Sequence, residues 1–551
     1  MKARSIMFAR LFLLASILSV GYSAISLAQS SSFDTRIPSE AAGSEGLFCR
    51  VTLPLQPRYA GSGAPVIIYV QGGFSSGGAN ISGARLDRFG FIEIRFNFPG
   101  GGIGSTKSGG TYDDRGENCL KALRDVARFA LGEIPDLDGK YLGDLTGSIT
   151  PMYSNVGLAG MSNGGNATIV TAGYHGDSLS SLAWIVNWES PVGDGMVGAE
   201  AGAKPRPGSS NPTANPAYNP DDGTWDLTTV AYSDTLTVGL DATTNPPSRL
   251  HGGLYFDING NNTPDRGTDF IPNPLVREMD GGVKAFYSVR ATTAAYDRGL
   301  VPSPPPPHIA TVQETRDYWR LRNGEYWIDE AVSSNPGLMF LVVAAEQDHV
   351  QTALDHPHVL IQYEGFRSKG ARFVRLNPDR SYVEYISGRS VPGAVDNDAF
   401  AVFDHLSIRT AVEPSGTSGI PTYVLMAAAA CELADRTMSG NLSSQLGGIL
   451  LSAQTATAPE RLRLEQNYPN PFGGSSPFTI IRFNLPADGY RNADFKITDA
   501  LGRTILHRSG RDLHPGENSI TLNGAGLADG IHIARLSWEG ITLSRAMLLV
   551  R

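Results

Sequence analysis

The feature that most constrains this chain is a glycine-framed turn around one serine. Residues 160–164 read GMSNG, an apolar run precedes them at 155–159, and small residues follow at 165–174. These flanks predict a strand, a tight turn and a helix in immediate succession. Such a turn strains the backbone of its central residue, and glycine on both sides removes side chains that would clash. The stretch therefore predicts that Ser162 is lifted to a sheet edge beside a helix N-terminus; the alternative is an ordinary glycine-rich turn.

Apolar strands and helices alternate on both sides of this turn. The predicted strands are residues 66–70, 91–96, 156–159, 182–187, 338–344 and 372–376. The predicted helices are residues 117–131, 165–174, 352–368 and 422–436. This alternation is typical of a mostly parallel sheet that is covered on both faces. The sequence thus predicts an α/β fold with a doubly wound sheet, in which ligands bind at the carboxyl ends of the strands.

Two changes of composition divide the chain of 551 residues. Residues from about 190 to 337 are rich in Gly, Pro, Asn and Asp, and we expect a long cap insertion there, within a domain that spans 29–441. Residues 442–460 suit a linker, and residues 461–551 predict a small all-β sandwich. The strands predicted for this sandwich are 478–484, 493–498, 519–523, 531–538 and 542–550.

The N-terminus has the pattern of a targeting segment. Lys2, Arg4 and Arg10 precede an apolar stretch at 11–20, and small residues follow it. This order predicts a secretory signal peptide over residues 1–28. The apolar stretch is too short to span a membrane, and no later segment predicts a transmembrane helix.

Charge and cysteine content narrow the possible partners. The net charge of −9, without a cluster of Lys and Arg, argues against a nucleic-acid partner. The three cysteines are Cys49, Cys119 and Cys431, so an exported chain can form one disulfide with one thiol left over. A pair between Cys49 and Cys119 and a set of buried free thiols both remain open.

The larger domain resembles the α/β-hydrolase superfamily. Besides the turn at Ser162, residues 70–74 (VQGGF) follow a predicted strand where that superfamily has its oxyanion loop. The usual histidine of that loop is Gln71 here. The resemblance implies that Ser162 is a nucleophile and that the backbone N–H groups of Gly73 and Asn163 face the developing oxyanion.

The same resemblance implies an acid and a base for Ser162. Asp348 lies in the loop after the predicted strand 338–344, where the superfamily has its acid. The loop after the last predicted strand has no histidine at its start, so His405, further along it, is the candidate base and His349 is the alternative. Two reserve candidates for the acid are Glu189 and Asp194.

The C-terminal sandwich resembles the sorting domain of the type IX secretion system. Residues 464–472 (LEQNYPNPF) match its opening signature and residues 479–483 (TIIRF) its first strand. Residues 500–503 (ALGR) and 527–530 (LADG) match its middle turn and the turn before its late strand. The resemblance implies export across an outer membrane by that machinery; the alternative is a β-sandwich binding module.

An acidic loop in the cap insertion predicts a structural calcium site. Oxygen-bearing side chains alternate around a glycine turn, at Asp257, Asn259, Asn261, Asp265 and Asp269. Hard oxygen ligands in such a loop suit Ca²⁺, and the pattern resembles the calcium loops of thrombospondin type 3 repeats and dockerins. It departs from an EF-hand because no glutamate occupies the twelfth position. The alternative is an Asn/Asp-rich turn without an ion.

Together these patterns predict a serine hydrolase that needs no cofactor for catalysis. We expect an ester bond in a small-molecule or polymeric substrate, and a peptide bond less, because nothing resembles a β-propeller. We expect the protein to pass the periplasm and to be secreted or held at the outer cell surface. The alternative is a non-catalytic surface-binding protein on the same scaffold, which the missing histidine favours.

Overall fold

A computed structural model of the chain describes most residues between 30 and 550. The described ranges are 30–79, 85–188, 190–193, 200–202, 214–219, 223–279, 282–344, 357–387, 422–442, 462–467, 470–473, 477–485, 492–510, 512–513, 516–538 and 541–550. Their strands are β1 (Ser32–Ser39), β2 (Gly43–Thr52), β3 (Gly63–Val70), β4 (Ile92–Phe96), β5 (Thr150–Met161), β6 (Trp184–Trp188), β7 (Tyr218–Asn219), β8 (Thr224–Trp225), β9 (Val230–Asp241), β10 (Ser248–Phe256), β11 (Leu275–Met279), β12 (Gly282–Phe286), β13 (Met339–Val343), β14 (Phe373–Leu376), β15 (Arg463–Leu464), β16 (Phe478–Leu485), β17 (Asp494–Asp499), β18 (Thr504–Ser509), β19 (Gly516–Asn523), β20 (Gly530–Trp538) and β21 (Ile541–Leu549). Their α-helices are α1 (Glu117–Ala130), α2 (Leu142–Leu145), α3 (Asn163–Tyr174), α4 (Val289–Asp297), α5 (Val312–Arg320), α6 (Ile328–Ser334), α7 (Pro357–Ser368), α8 (Arg380–Ser387) and α9 (Thr422–Ser439).

The larger domain is built on one mixed sheet. Its strand order is β1-β2-β4-β3-β5-β6-β13-β14. The pairs from β4 through β14 are parallel, whereas β1 and β2 are antiparallel to their neighbours. The six strands that the sequence predicts for this domain all lie in the parallel part. The two antiparallel strands were not predicted, because polar residues interrupt their apolar ones and leave no continuous run.

Successive residues of the central strands enter different cores. In β3, Val66 and Ile68 face a core that they share with α1, α3, α6 and α7. Ile67 and Tyr69 face a second core, which is filled mainly by α9. This alternation follows from the two-residue period of a strand, and it accounts for the fully apolar sequence of β3. Helices therefore cover both faces of the sheet, as the sequence predicts.

A buried ion pair fixes α9 to the loop before β3. Arg58 and Asp435 are nearly inaccessible to solvent, and the guanidinium Nη2 lies 2.6 Å from the carboxylate Oδ2. The hydroxyls of Tyr59 and Tyr382 also donate to that carboxylate, at 2.7 and 3.0 Å. These donors satisfy the hydrogen-bonding capacity of the buried carboxylate, and they hold α9 against the loop before β3.

The insertion after β6, described over parts of residues 190–337, has a hydrophobic core of its own. The hairpins β9–β10 and β11–β12 form two small antiparallel sheets. Phe256, Tyr287 and Ala295 pack together in the core beside them. Toward its end the insertion provides α6, whose Ile328 and Ala331 join the core of the main sheet.

The C-terminal strands form two further sheets, β15-β16-β19 and β18-β17-β20-β21. Their inner faces share one core, in which the rings of Phe483 and Phe495 stack with centroids 4.6 Å apart. This agrees with the predicted all-β sandwich. The sequence did not predict β18, because its residues TILHRS are half-buried or exposed and lack an alternating pattern.

Three residues of the sequence 464–472 (LEQNYPNPF) form contacts that stabilise this sandwich. The Asn467 side chain is buried and donates to Thr479 Oγ1 at 2.9 Å. Asn470 Oδ1 accepts the N–H of Leu548 at 2.9 Å, and Phe472 pairs with the same end of β21. Asn470 and Phe472 therefore cover the edge of β21, which gives them a structural role in the sandwich.

Within the described residues the three cysteines are buried free thiols, and burial raises the pKa of each. The pairing of Cys49 with Cys119, one of the two open alternatives, is not observed. Among the described residues, no helix has the length and apolarity that crossing a membrane requires.

Candidate active site

Ser162 occupies a strained backbone conformation between β5 and α3. Its φ is 50° and its ψ is −126°, outside the regions that residues with a side chain normally adopt. Its N–H donates to the carbonyl of Trp188 at 2.7 Å, and its carbonyl accepts the N–H of Gly165 at 2.9 Å. The predicted strand, turn and helix around this serine are thus present, and the helix begins at Asn163.

Glycines at this turn are required because backbone atoms lie close to them. A Cβ atom on Gly164 would stand 2.2 Å from the carbonyl oxygen of Val70 at the end of β3. A Cβ atom on Gly160 would stand 2.5 Å from Gly165 Cα. Gly165 is itself pressed against Ser190, whose Oγ would lie 1.8 Å from a Cβ atom there. Glycine at 160 and 164 was predicted from the pattern of the turn, whereas the need for glycine at 165 was not.

The loop after β3 lies directly against the serine. A Cβ atom on Gly72 would be 2.9 Å from Ser162 Cβ, so only glycine permits this approach. Gly73 has a φ of 62° and is exposed, and its carbonyl accepts the side-chain amide of Asn163 at 3.3 Å. Among the described residues, the backbone N–H groups of Gly73 and Asn163 have no hydrogen-bond partner. The structure thus brings Ser162 together with the two residues predicted to supply N–H donors.

A buried polar network holds the end of β6 beside the serine turn. Asn187 donates to the carbonyl of Gly165 at 3.2 Å and to Gln362 Oε1 at 3.0 Å. Gln362 in turn donates to the carbonyl of Ser190 at 3.2 Å. The network fixes the position of the strand end from which Trp188 accepts the Ser162 N–H. Neither Asn187 nor Gln362 was predicted to have a role, because an isolated Asn or Gln belongs to no sequence motif that would indicate one.

The cap insertion reaches the glycine loop through one arginine. The Arg277 guanidinium carbon lies 4.2 Å from the centroid of the Phe74 ring, and its Nε lies 3.8 Å from Asp114 Oδ1. A cation over an aromatic face is favourable at this distance. The half-buried Phe74 directly follows Gly73, so the insertion borders the candidate site here.

The predicted acid and bases cannot be placed beside Ser162. Asp348, His405 and His349 lie outside the described residues, as do the reserve acids Glu189 and Asp194. Within the described part of the chain no histidine is hydrogen-bonded to Ser162. His175 caps the far end of α3, whose 12 residues span about 18 Å, so it is too distant to act as a base.

The predicted calcium loop is described, and its oxygens bind backbone amides. The Asp257 carboxylate accepts two N–H groups at 2.8 and 2.9 Å, and that of Asp269 accepts two at 2.9 and 3.0 Å. Asp265, Asn259 and Asn261 each accept a further N–H. No group of three or more His, Cys, Asp or Glu side chains in the described ranges could hold a metal ion. The donors have suitable chemistry but are not gathered around one point.

The solved structures named below are similar to this chain at low sequence identity and low TM-score. No family model and no curated protein matches the chain. Among solved structures it is similar to the esterase Est22, with 12% identity, a TM-score of 0.31, and 63% of this chain and 70% of that chain covered. It is similar to carboxyl esterase 2 of the fungus Tuber melanosporum, with 9% identity, a TM-score of 0.30 and coverage of 74% and 88%. A prolyl endopeptidase has 16% identity and a TM-score of 0.21, and the alignment spans 30% of this chain and only 22% of the endopeptidase.

Structural similarity this weak does not indicate an activity or a substrate for this chain. The chain's own geometry defines the fold as α/β-hydrolase-like. Its basis is a largely parallel sheet with helices on both faces and a strained serine between β5 and α3. A glycine loop after β3 then lies against that serine.

The close approach at Gly164 gives a prediction. Gly164→Ala should lower the free energy of unfolding by about 1–3 kcal/mol, because the new methyl group meets backbone that cannot turn away. Urea unfolding measures the loss. Gly77→Ala is the matched control, since a Cβ atom there meets nothing closer than 3.8 Å. Equal stability of the two variants would contradict the packing described for the turn.

Proposed function

We propose that this protein is a secreted serine hydrolase that cleaves an ester-type acyl bond. One observation carries the proposal: Ser162 is held in a strained turn against a glycine loop, and two backbone N–H groups beside it are unpartnered within the described residues. Strain of this kind is retained where the surrounding structure enforces it, which is common at active sites. A Ser-His-Asp triad completes the proposal, with His405 as base, His349 as its alternative and Asp348 as acid.

In this mechanism the Ser162 hydroxyl oxygen attacks the acyl carbon while the histidine accepts its proton. The carbonyl oxygen of the substrate becomes an oxyanion, to which Gly73 and Asn163 donate their N–H groups. The histidine then returns the proton to the leaving alcohol, and water hydrolyses the acyl-enzyme by the reverse sequence. The positive end of the α3 dipole, at Asn163, favours the same negative charge.

The second candidate function is a non-catalytic surface-binding protein on this scaffold. It is favoured by the sequence after β14, because the loop in which the superfamily has its histidine begins here with Asn377 and Pro378. The two functions differ in a single measurement, since a binding protein has no turnover that depends on the Ser162 hydroxyl.

Ser162→Ala should lower kcat for short p-nitrophenyl esters by about 10⁴-fold or more, because triad members act as a unit. Asp348→Ala and His405→Ala should each lose orders of magnitude as well. Ser333→Ala, at an exposed serine of α6, is the matched control and should keep full activity. Steady-state hydrolysis measures all four variants.

Wild-type turnover in Ser162→Ala would refute the hydrolase proposal. Full activity in His405→Ala alone would move the base elsewhere, and His349→Ala is then the variant to measure.

We also propose that residues 257–269 bind calcium as a structural ion. Support comes from the donor set, three carboxylates and two amide oxygens in one loop, although these are not gathered as ligands. A ligand of the folded state stabilises it by mass action. Chelator should therefore lower the melting temperature of the protein, calcium should restore it, and Asp257→Ala should abolish the response. If chelator does not change the melting temperature and elemental analysis finds no calcium, the calcium proposal is wrong. The loop is then an Asn/Asp-rich turn without an ion.

The last proposal is that residues 461–551 direct export by the type IX secretion machinery after removal of residues 1–28. Support comes from the four sequence signatures and from the separate hydrophobic core of these strands. No family model matches this segment. A machine that recognises a folded module requires one that folds by itself, and a core separate from that of the main sheet supports this.

Truncation near residue 457 should leave hydrolysis by purified protein unchanged. In a host with a type IX system the truncated chain should stay in the periplasm, whereas the full-length chain should appear outside the cell. Fractionation with intact mass analysis measures both. Secretion of the truncated chain at the full-length level would leave a binding module as the better account.

A further inference from the structure

Arg115 is a buried cation whose hydrogen bonds go to the glycine loop. Its side chain is almost inaccessible, and its guanidinium carbon lies 4.1 Å from the centroid of the Phe98 ring. Nη2 donates to three carbonyl oxygens of one loop, those of Gln71, Gly72 and Ser75, at 2.9, 3.2 and 3.2 Å. No carboxylate among the described residues forms an ion pair with Arg115. Its charge is therefore directed at backbone oxygens, and hydrogen bonds from an ionised donor are stronger than those between neutral groups.

The backbone that presents Arg115 is itself strained and held. Asp114 and Arg115 have φ values of 51° and 69°, two successive left-handed residues without glycine. Such residues cost free energy and persist only where the surroundings enforce them. Arg322, in the cap insertion, donates to the carbonyls of Asp113 and Asp114, both at 2.8 Å. The insertion therefore fixes the segment from which Arg115 extends.

The peptide unit between Gly72 and Gly73 connects this clamp to the candidate reaction. A trans peptide is planar, and its C=O and N–H point in opposite directions. Because Arg115 holds the Gly72 carbonyl, the Gly73 N–H of the same unit is turned to the other side. That N–H is one of the two donors proposed for the oxyanion, and a Cβ atom added at Gly72 would lie only 2.9 Å from Ser162 Cβ.

We infer that Arg115 is a positioning residue: it holds the 71–75 loop so that the Gly73 N–H is oriented toward an oxyanion formed at Ser162. This inference rests on the proposed hydrolase function. It gives the cap insertion a part in catalysis through Arg322, beyond any control of access. An apolar residue at 115 leaves the loop carbonyls unpartnered and frees the peptide unit to rotate.

The test compares Arg115→Met and Arg115→Lys with the wild-type full-length chain on p-nitrophenyl esters. Arg115→Met should lose about 10²-fold in kcat with KM changed less than about twofold, because a misplaced oxyanion donor weakens transition-state binding alone. Arg115→Lys should recover part of the loss, since it keeps the charge but not the fork of donors.

Arg36→Met is the matched control, because Arg36 likewise donates to three backbone carbonyls, those of Glu45 in β2 and of Ser105 and Lys107. It should lower the melting temperature without lowering kcat. If Arg115→Met does not fold, Arg115→Lys carries the test by the same split between kcat and KM.

Wild-type kcat in Arg115→Lys and Arg115→Met, or an equal loss in Arg36→Met, would overturn the inference while the hydrolase proposal stands. A wild-type protein without Ser162-dependent turnover would overturn both.

Discussion

The close contact between two strand ends is the constraint on which the candidate site depends. The carbonyl of Val70 at the end of β3 leaves no space for a side chain at Gly164, and Gly72 leaves none between itself and Ser162. β3 and β5 are adjacent parallel strands, with Val70 opposite Gly160, so both loops leave the sheet at the same edge. The serine, the glycine loop and the start of α3 lie together because the pairing register of β3 and β5 brings the two strand ends to the same level.

A buried arginine and two buried side-chain amides bind the backbone at this edge of the sheet and hold it in place. Arg115 binds the carbonyls of the glycine loop, and Asn187 with Gln362 binds the backbone beside the serine. None of these side chains is proposed to touch a substrate. Each satisfies backbone groups that burial would otherwise leave without partners, which costs free energy. The same bonds that satisfy the backbone therefore determine where its remaining N–H groups point.

The sequence predicted the parallel sheet well because short continuous apolar runs such as Val66–Val70 are typical of strands that are buried on both faces. It predicted the turn at Ser162 because two glycines, a serine and their flanks together form a rare pattern. It missed β1 and β2, whose half-exposed strands mix polar and apolar residues. It missed Arg115 because a polar run before a helix looks like any surface loop. A long-range contact between Arg115 and the loop at 71–75 leaves no trace in a single sequence.

The central claim is that Ser162 is a nucleophile activated by the folded protein. Intact mass analysis after incubation with a fluorophosphonate probe tests it most directly, because the probe forms a bond only with an activated hydroxyl. The account predicts one adduct per chain, mapped to the peptide that contains Ser162. It also predicts no adduct on heat-denatured protein or on the Ser162→Ala variant. An unlabelled native protein, or an adduct on another residue, would contradict it.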